Sequence, residues 1–345
     1  MKRFFFLTIF VTLALAACTP KGPTTLIVMT HDSFSVSADV VMAFEQANNI
    51  EVAFLKSGDA GAALNKAILS KEAPLADVFY GVDNTFLSRA LAAGIYEMYA
   101  SPLLANIPDE FQLDPQSHAM PVDYGDVCIN YDKAYFTDHN LAVPQSLEEL
   151  TRPEYQGLLV VENPATSSPG LAFLLATVKH FGADGYLDYW RSLRANSVVV
   201  VDGWETAYYT NFSASSGHGP QPMVVSYASS PAAEVIYAET PLTESPTASI
   251  LGPDTCFRQI EFVGILAGTQ NRALAEEFVD FMLGVHFQED IPLQMFMSPV
   301  NRDANLPEAF IKFAPAAEQP AALSPDMIAA NRDQWIANWT EVVLH

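Results

Sequence analysis

The sequence has few basic residues. Lys and Arg together number 17 against 40 Asp and Glu, which gives the 345-residue chain a formal net charge of −23. Such a charge repels the phosphates of nucleic acids and of anionic lipid surfaces, so no nucleic-acid partner is expected. It would gather a cationic ligand, although an acidic composition also serves solubility alone, and both interpretations stand.

Catalytic and metal-binding motifs are also scarce. The Gly-x-Ser-x-Gly pentapeptide of an α/β-hydrolase does not occur, and the seven His are scattered without metal-site spacing. The many acidic residues offer pairs for a glycosidase, but nothing singles one pair out. We therefore expect no enzyme, no cofactor and no metal site, with a secreted hydrolase as the alternative.

Long apolar runs are absent except at the N-terminus. Two basic residues precede the apolar stretch 4–16, which is short for a membrane span and typical of a secretion signal. Leu15-Ala16-Ala17-Cys18 resembles the lipobox of bacterial lipoproteins. The prediction is a signal peptide over residues 1–17, a lipid on Cys18 and a tether over 18–24. An ordinary secreted protein with an incidental cysteine is the alternative.

Only three cysteines are present. If Cys18 carries a lipid, Cys128 and Cys256 remain for the folded part. An even pair in an exported chain permits one disulfide, and two buried free thiols fit equally well.

Half of the residues are hydrophobic, which suits a well-cored globular protein long enough for two domains. The apolar periodicity predicts strands and helices in alternation, and hence parallel sheets with right-handed crossovers. Predicted strands cover 25–30, 50–55, 76–81, 157–162 and 223–227, and predicted helices cover 39–48, 62–70, 85–93, 144–150, 171–181, 273–283 and a closing segment from Pro325.

Two further segments, 121–131 and 255–266, are extended and predict strands that cross between two lobes. We therefore expect an α/β protein of two βαβ lobes joined by hinge strands, with a ligand cleft between them. The first lobe would comprise residues 25–123 and 257–345, and the second lobe residues 124–256.

The segment Val198 to Tyr209 organises the functional hypothesis. Four consecutive Val predict a strand buried on both faces, and Asp202-Gly203 then turns the chain so that Trp204 lies just past the strand end. Ligands of open α/β sheets bind at such ends. Packing of Trp204 in the core beneath a loop is the alternative interpretation.

Two polar helix starts are further candidates. Asp59 stands where the N-cap of the helix over 62–70 belongs, so it either caps that helix or presents a carboxylate to a ligand. The segment 163–170 opens the predicted helix over 171–181 with hydroxyls and backbone N–H groups. This start suits an anion such as phosphate, or plain capping.

A set of short motifs occurs in the order and approximate spacing of one family. The motifs are His31-Asp32-Ser33-Phe34, Ser57-Gly58-Asp59 with Leu64-Asn65, Gly81-Val82-Asp83-Asn84, Asp123-Tyr124-Gly125, Tyr131-Asp132-Lys133, Thr166-Ser167-Ser168-Pro169-Gly170-Leu171, Gly203-Trp204-Glu205-Thr206-Ala207-Tyr208, Ser226-Tyr227 and Ser230-Pro231. Together they resemble the thiamine-binding substrate-binding proteins of bacterial ABC importers, from about Thr25 to Trp339.

This resemblance implies a type II periplasmic binding protein fold. It also implies that aromatic side chains hold the rings of the ligand and that a Ser-containing helix start holds its phosphate. The implied ligand-binding residues are His31, Asp59, Ser167, Trp204, Tyr208, Tyr227 and Phe296. His31 stands where some members have Tyr, and Phe296 where some have Trp, which leaves open the form of the ligand but not its class.

Thiamine suits these residues because its thiazolium ring is a permanent cation and its aminopyrimidine is flat. Aromatic faces and a carboxylate, here Trp204, Tyr227 and Asp59, are the matching groups. The expectation is a monomeric receptor, extracytoplasmic and lipid-anchored to the cell membrane. It would deliver thiamine, thiamine monophosphate or thiamine diphosphate to an ABC permease. The alternative is a related receptor for ferric iron, which Tyr208-Tyr209 supports slightly, or for another small solute.

Overall fold

The computed structural model describes residues 24–214 and 218–345. The predicted signal peptide, Cys18 and nearly all of the predicted tether lie outside the described residues, so these features stay predictions. In the part of the chain that is described, no helix has both the length and the apolar character needed to cross a membrane.

Eleven strands of the described chain form one mixed sheet. They are β1 Thr24–Thr30, β2 Ile50–Lys56, β3 Val78–Asp83, β4 Tyr96–Glu97, β5 Met120–Asp132, β6 Leu159–Glu162, β7 Val199–Val201, β8 Met223–Tyr227, β9 Thr247–Ile250, β10 Phe257–Leu266 and β11 Ser298–Pro299. The main path of the sheet runs β2-β1-β3-β10-β5-β8-β6-β7, with β4 beside β10 and both β9 and β11 beside β5.

Helices flank this sheet. They are α1 Ala38–Asn48, α2 Ala60–Leu69, α3 Leu87–Ala93, α4 Lys133–Asp138, α5 Ser168–Ala195, α6 Trp204–Thr206, α7 Ser230–Ile236, α8 Arg272–Leu283, α9 Val285–Gln294, α10 Glu308–Phe313 and α11 Pro325–Val343. Short 3₁₀ turns at Pro102–Asn106, Asp109–Phe111, Glu148–Thr151 and Pro153–Tyr155, and a π-helical turn at Ala207–Asn211, complete the described elements.

The two outer parts of the sheet are parallel, as the alternating pattern predicts. β1 pairs with β2 and β3, and β6 pairs with β7 and β8, in parallel register. The centre differs, because the long strand β10 runs antiparallel to both β3 and β5. The two extended segments thus lie side by side in the middle of the sheet. The proposed lobe limits, 25–123 with 257–345 against 124–256, stay a prediction.

The strand at the start of the key segment is an edge strand, and the prediction that it is buried on both faces is wrong. β7 pairs only with β6 along the path of the described sheet, and all three of its residues are half-buried. A run of Val resembles a central strand because β-branched residues favour any strand position, and composition does not report the position of the strand in the sheet.

Two other segments differ from their predictions. The helix expected over 144–150 is reduced to the 3₁₀ turn Glu148–Thr151, because Pro153 follows at once and disfavours helical backbone before it. The helix expected over 171–181 continues as α5 to Ala195 after an interruption at Gly182, whose φ is 75°.

Cys128 and Cys256 form a disulfide. Both cysteines are wholly buried, Cys128 within β5 and Cys256 immediately before β10. Of the two alternatives that the sequence allows, the structure therefore has the cross-link. It covalently links the two central strands near one end of their pairing, next to the paired residues Val127 and Phe257.

Candidate functional site

A cavity of about 810 Å³ opens where strand ends and helix starts from both outer parts of the sheet meet. His31 to Ser35 follow β1, Asp59 is the N-cap of α2, and α5 begins with Ser168 and Pro169; all of these residues line the cavity. The aromatic residues Trp204, Tyr208, Tyr227, Tyr237 and Phe296 also line the cavity. This is the place where open α/β sheets bind ligands.

An aromatic cluster forms one wall of the cavity. Trp204 stacks on Tyr208 with ring centroids 5.0 Å apart, and Tyr227 meets the indole edge to face at 6.4 Å. The indole Nε1–H donates a hydrogen bond of 2.8 Å to Ser226 Oγ. Trp204 is half-buried and lines the cavity, so one part of its ring stays accessible. Trp204 therefore does not lie in the core beneath a loop, which was the alternative interpretation of the sequence.

Asp59 caps α2 and also lines the cavity, so its two interpretations are compatible. Its carboxylate accepts hydrogen bonds from the N–H groups of Ala60 at 2.7 Å and of Trp204 at 3.1 Å. Burial raises the pKa of Asp59, whereas these two N–H groups, the Ser167 hydroxyl and His31 act in the opposite direction. A side chain at position 203 would approach Asp59 Oδ2 to about 3.1 Å, which explains the glycine there.

Ser167 differs from the other predicted site residues. It is the N-cap residue of α5, is wholly buried, and is not among the residues that line the cavity. Its hydroxyl lies beside Asp59 and lowers the pKa of that carboxyl. Ser168 and Pro169, the next two residues, reach the cavity instead.

A buried network of Tyr80 and two carboxyls lies at the cavity floor. The Tyr80 hydroxyl lies 2.6 Å from Asp123 Oδ2 and 2.7 Å from Glu261 Oε2. Burial and the nearby Glu261 together raise the pKa of Asp123 well above its usual range. Glu261 also lines the cavity, and His31 Nε2 lies 3.8 Å from it. The sequence analysis did not find this network, although an acidic residue inside the apolar segment 257–266 was a signal for it.

Two aromatic residues meet at one margin of the cavity. Phe296 follows α9 and Tyr237 follows α7, and their rings pack edge to face at 5.4 Å. The Tyr237 hydroxyl also donates a hydrogen bond to the carbonyl of Leu293. Phe296 has a φ of 59°, a left-handed conformation that is uncommon for a residue with a bulky side chain. Tyr237 was not among the predicted residues.

The structure brings most of the predicted residues to one cavity. His31, Asp59, Trp204, Tyr208, Tyr227 and Phe296 all line it. Whether each contacts a ligand stays a prediction. The lining is acidic, with six carboxyl residues against one Lys, which favours a cationic ligand. These residues are Asp32, Asp59, Glu205, Glu234, Glu239, Glu261 and Lys56. Within residues 24–214 and 218–345, no three His, Cys, Asp or Glu side chains cluster so as to hold a metal ion.

Comparison with known proteins gives consistent findings. A family model described as bacterial extracellular solute-binding protein matches residues 73–319. The thiamine-binding periplasmic protein of Salmonella typhimurium is 30% identical over 339 residues, which cover 96% of this chain and 97% of that protein.

Solved structures agree in fold. A periplasmic thiamin binding protein matches with a TM-score of 0.80 and 28% identity, covering 93% of this chain and 96% of that chain. Iron-bound HitA from Pseudomonas aeruginosa matches with a TM-score of 0.74 over 93% of this chain and 99% of its own, but at 19% identity this likeness shows the fold alone.

Proposed function

The chain belongs to the family of bacterial extracellular solute-binding proteins, and we propose that its solute is thiamine or a thiamine phosphate. As a member it is an extracytoplasmic receptor for ABC import, and the predicted type II periplasmic binding protein fold is confirmed. The family points to binding and not to catalysis.

The observation that carries the thiamine proposal is the aromatic wall next to the half-buried carboxylate of Asp59. Trp204, held in place by its bonds to Ser226 and Asp59, offers an indole face beside Tyr227. A cation over such a face is stabilised by about 0.5 to 2 kcal/mol. The thiazolium ring supplies that cation, and Asp59 together with the acidic lining supplies the counter-charge. The flat aminopyrimidine would occupy the remaining aromatic surface.

The start of α5 supports accommodation of a phosphate ester. Ser168 and Pro169 line the cavity at the first turn of a long helix, whose free N–H groups favour a negative group. The phosphate of thiamine monophosphate would lie there while its thiazolium faces Trp204. This arrangement places the two opposite charges of one ligand on two different walls.

Iron is less well supported as the cargo. Tyr208, a candidate oxygen ligand from the sequence, is almost wholly buried, and its hydroxyl lies 2.5 Å from Glu234 Oε1. Its ring is stacked under Trp204. Metal binding through Tyr208 would have to break both contacts, whereas thiamine uses the aromatic wall as it stands.

The cellular arrangement completes the proposal. A lipid on Cys18 would anchor the receptor to the membrane, from which the monomer hands its solute to the permease subunits of an ABC transporter. The lipobox-like motif supports the anchor, and the family supports the permease partner.

Calorimetric titration of the protein after unfolding, dialysis and refolding, which removes co-purified solute, tests the ligand. Thiamine and thiamine monophosphate should bind with dissociation constants in the micromolar range or tighter. The isolated aminopyrimidine fragment, which lacks the thiazolium cation, should bind at least about tenfold more weakly. No binding of thiamine or its phosphates by refolded protein, or equal binding of the fragment, would contradict the proposal.

A further inference from the structure

Glu162 is a deeply buried carboxyl at the end of β6. It is the last residue of β6, only 1% of its surface is exposed, and neither carboxyl oxygen has a hydrogen-bond partner elsewhere in the described chain. A carboxylate buried in this way costs several kcal/mol if it stays charged. Burial at this position therefore destabilises the ionised carboxylate relative to the neutral carboxyl.

Glu162 lies against the helix start that lines the cavity. A side chain at position 170, in the first turn of α5, would come within about 2.5 Å of the Glu162 carbonyl oxygen, so this turn packs onto the end of β6. The same turn presents Ser168 and Pro169 to the cavity. Asp59, which lines the cavity, is close enough to Glu162 for its charge to oppose the ionisation of Glu162 and raise the pKa.

The other elements around Glu162 contribute little charge. β7 and the first turn of α5 carry no ionisable side chain. The hydroxyls of Tyr208 in the π-helical turn and of Tyr227 in β8 are directed to Glu234 and Gln259. Asp202, after β7, is exposed. Asp59 is thus the neighbouring charge that raises the pKa of Glu162, and the Asp83 carboxyl lies beside the Ser168 hydroxyl at the same helix start.

We propose that Glu162 is a specificity-determining residue that sets, by its protonation, whether the cavity accepts a phosphorylated or an unphosphorylated ligand. A neutral Glu162 adds no charge to the two carboxyls already beside the start of α5, Asp59 and Asp83, and a phosphate can then be held there. An ionised Glu162 places a further negative charge behind that helix start, which repels phosphate and leaves the thiazolium attraction intact. This inference rests on the proposed function.

The direction of the pH effect follows from the two carboxyls. Burial first, and Asp59 second, raise the pKa of Glu162 well above its usual range. Asp59 accepts N–H bonds from two other residues, whereas among the described residues the Glu162 carboxyl has just its own backbone N–H beside it, so of the pair Glu162 keeps the proton. Raising the pH therefore ionises Glu162 and should disfavour the phosphorylated ligand.

The test compares wild type with Glu162→Gln, which keeps the shape and stays neutral. Dissociation constants for thiamine and thiamine monophosphate are measured by calorimetry between about pH 5 and about pH 9. In wild type, the preference for thiamine over its monophosphate should grow with pH by about tenfold more than in the variant. Ionisation of the ligand's own phosphate is common to both proteins and cancels in this comparison.

Glu205→Gln is the matched control, because Glu205 lines the same cavity but is exposed. This variant should shift the preference toward the monophosphate without removing the wild-type pH trend. Identical pH trends in wild type and Glu162→Gln would overturn the inference while thiamine binding itself stands. Absence of thiamine binding in all three proteins would instead refute the proposed function.

A measurement on the wild type keeps the inference testable if Glu162→Gln folds poorly. Carbon-13 NMR of glutamate carboxyls should show one resonance that titrates well above the usual value of about 4.3 and responds to thiamine monophosphate. Titration of every glutamate near that usual value would overturn the inference.

Discussion

Replacement of Trp204 by Ala separates a ligand-binding Trp from a structural one. The substitution removes the indole face, the bond to Ser226 and the stack on Tyr208, but the side chain is only half-buried. Loss of a cation–π contact of about 0.5 to 2 kcal/mol and an aromatic contact of about 0.5 to 1.5 kcal/mol predicts a total loss of about 1 to 3.5 kcal/mol. Thiamine affinity should therefore fall by about 5-fold to 300-fold. Trp204→Phe keeps an aromatic face and should lose about tenfold or less.

Trp190 provides the matched control. It is 1% exposed, donates an Nε1–H bond of 2.9 Å to Thr177 Oγ1, and packs edge to face on Trp339 in the core. Trp190→Ala should cost about 3 to 5 kcal/mol of unfolding free energy with little change in affinity at low temperature. Calorimetric titration with thiamine and thermal unfolding without ligand are measured on each variant. Early melting of Trp204→Ala together with normal thiamine binding would refute the reasoning and make this Trp part of the scaffold.

Four further predictions follow from individual residues. Cys18→Ala should release the protein from membranes into the soluble fraction, and unchanged retention on cell fractionation would refute the lipid anchor. Replacing both Cys128 and Cys256 by Ala should lower the unfolding free energy in urea by about 3 to 5 kcal/mol, because their cross-link closes a loop of 128 residues; an unchanged midpoint would contradict this. Ser167→Ala should weaken the binding of thiamine and of its monophosphate about equally, by about 1 kcal/mol in calorimetry, because the hydroxyl lies beside Asp59 and outside the cavity lining. A loss confined to the monophosphate would instead indicate a direct phosphate contact. Burial raises the pKa of Asp83 from 3.8 to about 6, so its contribution to stability is fully present below about pH 4 and, on the order of 3 kcal/mol, is lost as the pH rises through 6. Urea unfolding across this range should therefore show a steeper fall in wild type than in Asp83→Asn, and equal slopes would contradict the prediction.

The sequence was sufficient to predict the strands and helices of the two outer parts of the sheet. Their strands are short apolar runs bounded by polar turns, and the helices between them have apolar residues at helical spacing, so local pattern determines them. It also placed Trp204 and Asp59 at the cavity, because both follow positions where a strand or turn meets a helix. The edge position of β7 was not predictable, since it depends on whether a second strand pairs with β7 on the side away from β6.

Contacts between distant segments account for the rest. The network of Tyr80, Asp123 and Glu261 joins β3, β5 and β10, which are far apart along the chain. Tyr237 meets Phe296 for the same reason, through a contact between the ends of α7 and α9. Burial of Ser167 depends on how α5 packs onto Asp59, and a helix start rich in hydroxyls does not reveal which hydroxyl faces the cavity.

The position of β10 between β3 and β5 has a consequence for how the exported chain folds. β3 is made early, yet its antiparallel partner β10 emerges only after the whole of the intervening segment. Until then β3 presents an unpaired edge, and the contacts that complete the sheet have a large sequence separation. Such topologies fold slowly and expose strand edges to association with other chains. Folding competes with aggregation and proteolysis outside the cytoplasm, so a substitution that weakens β10 would reduce the yield of receptor before it reduced the affinity of the molecules that fold.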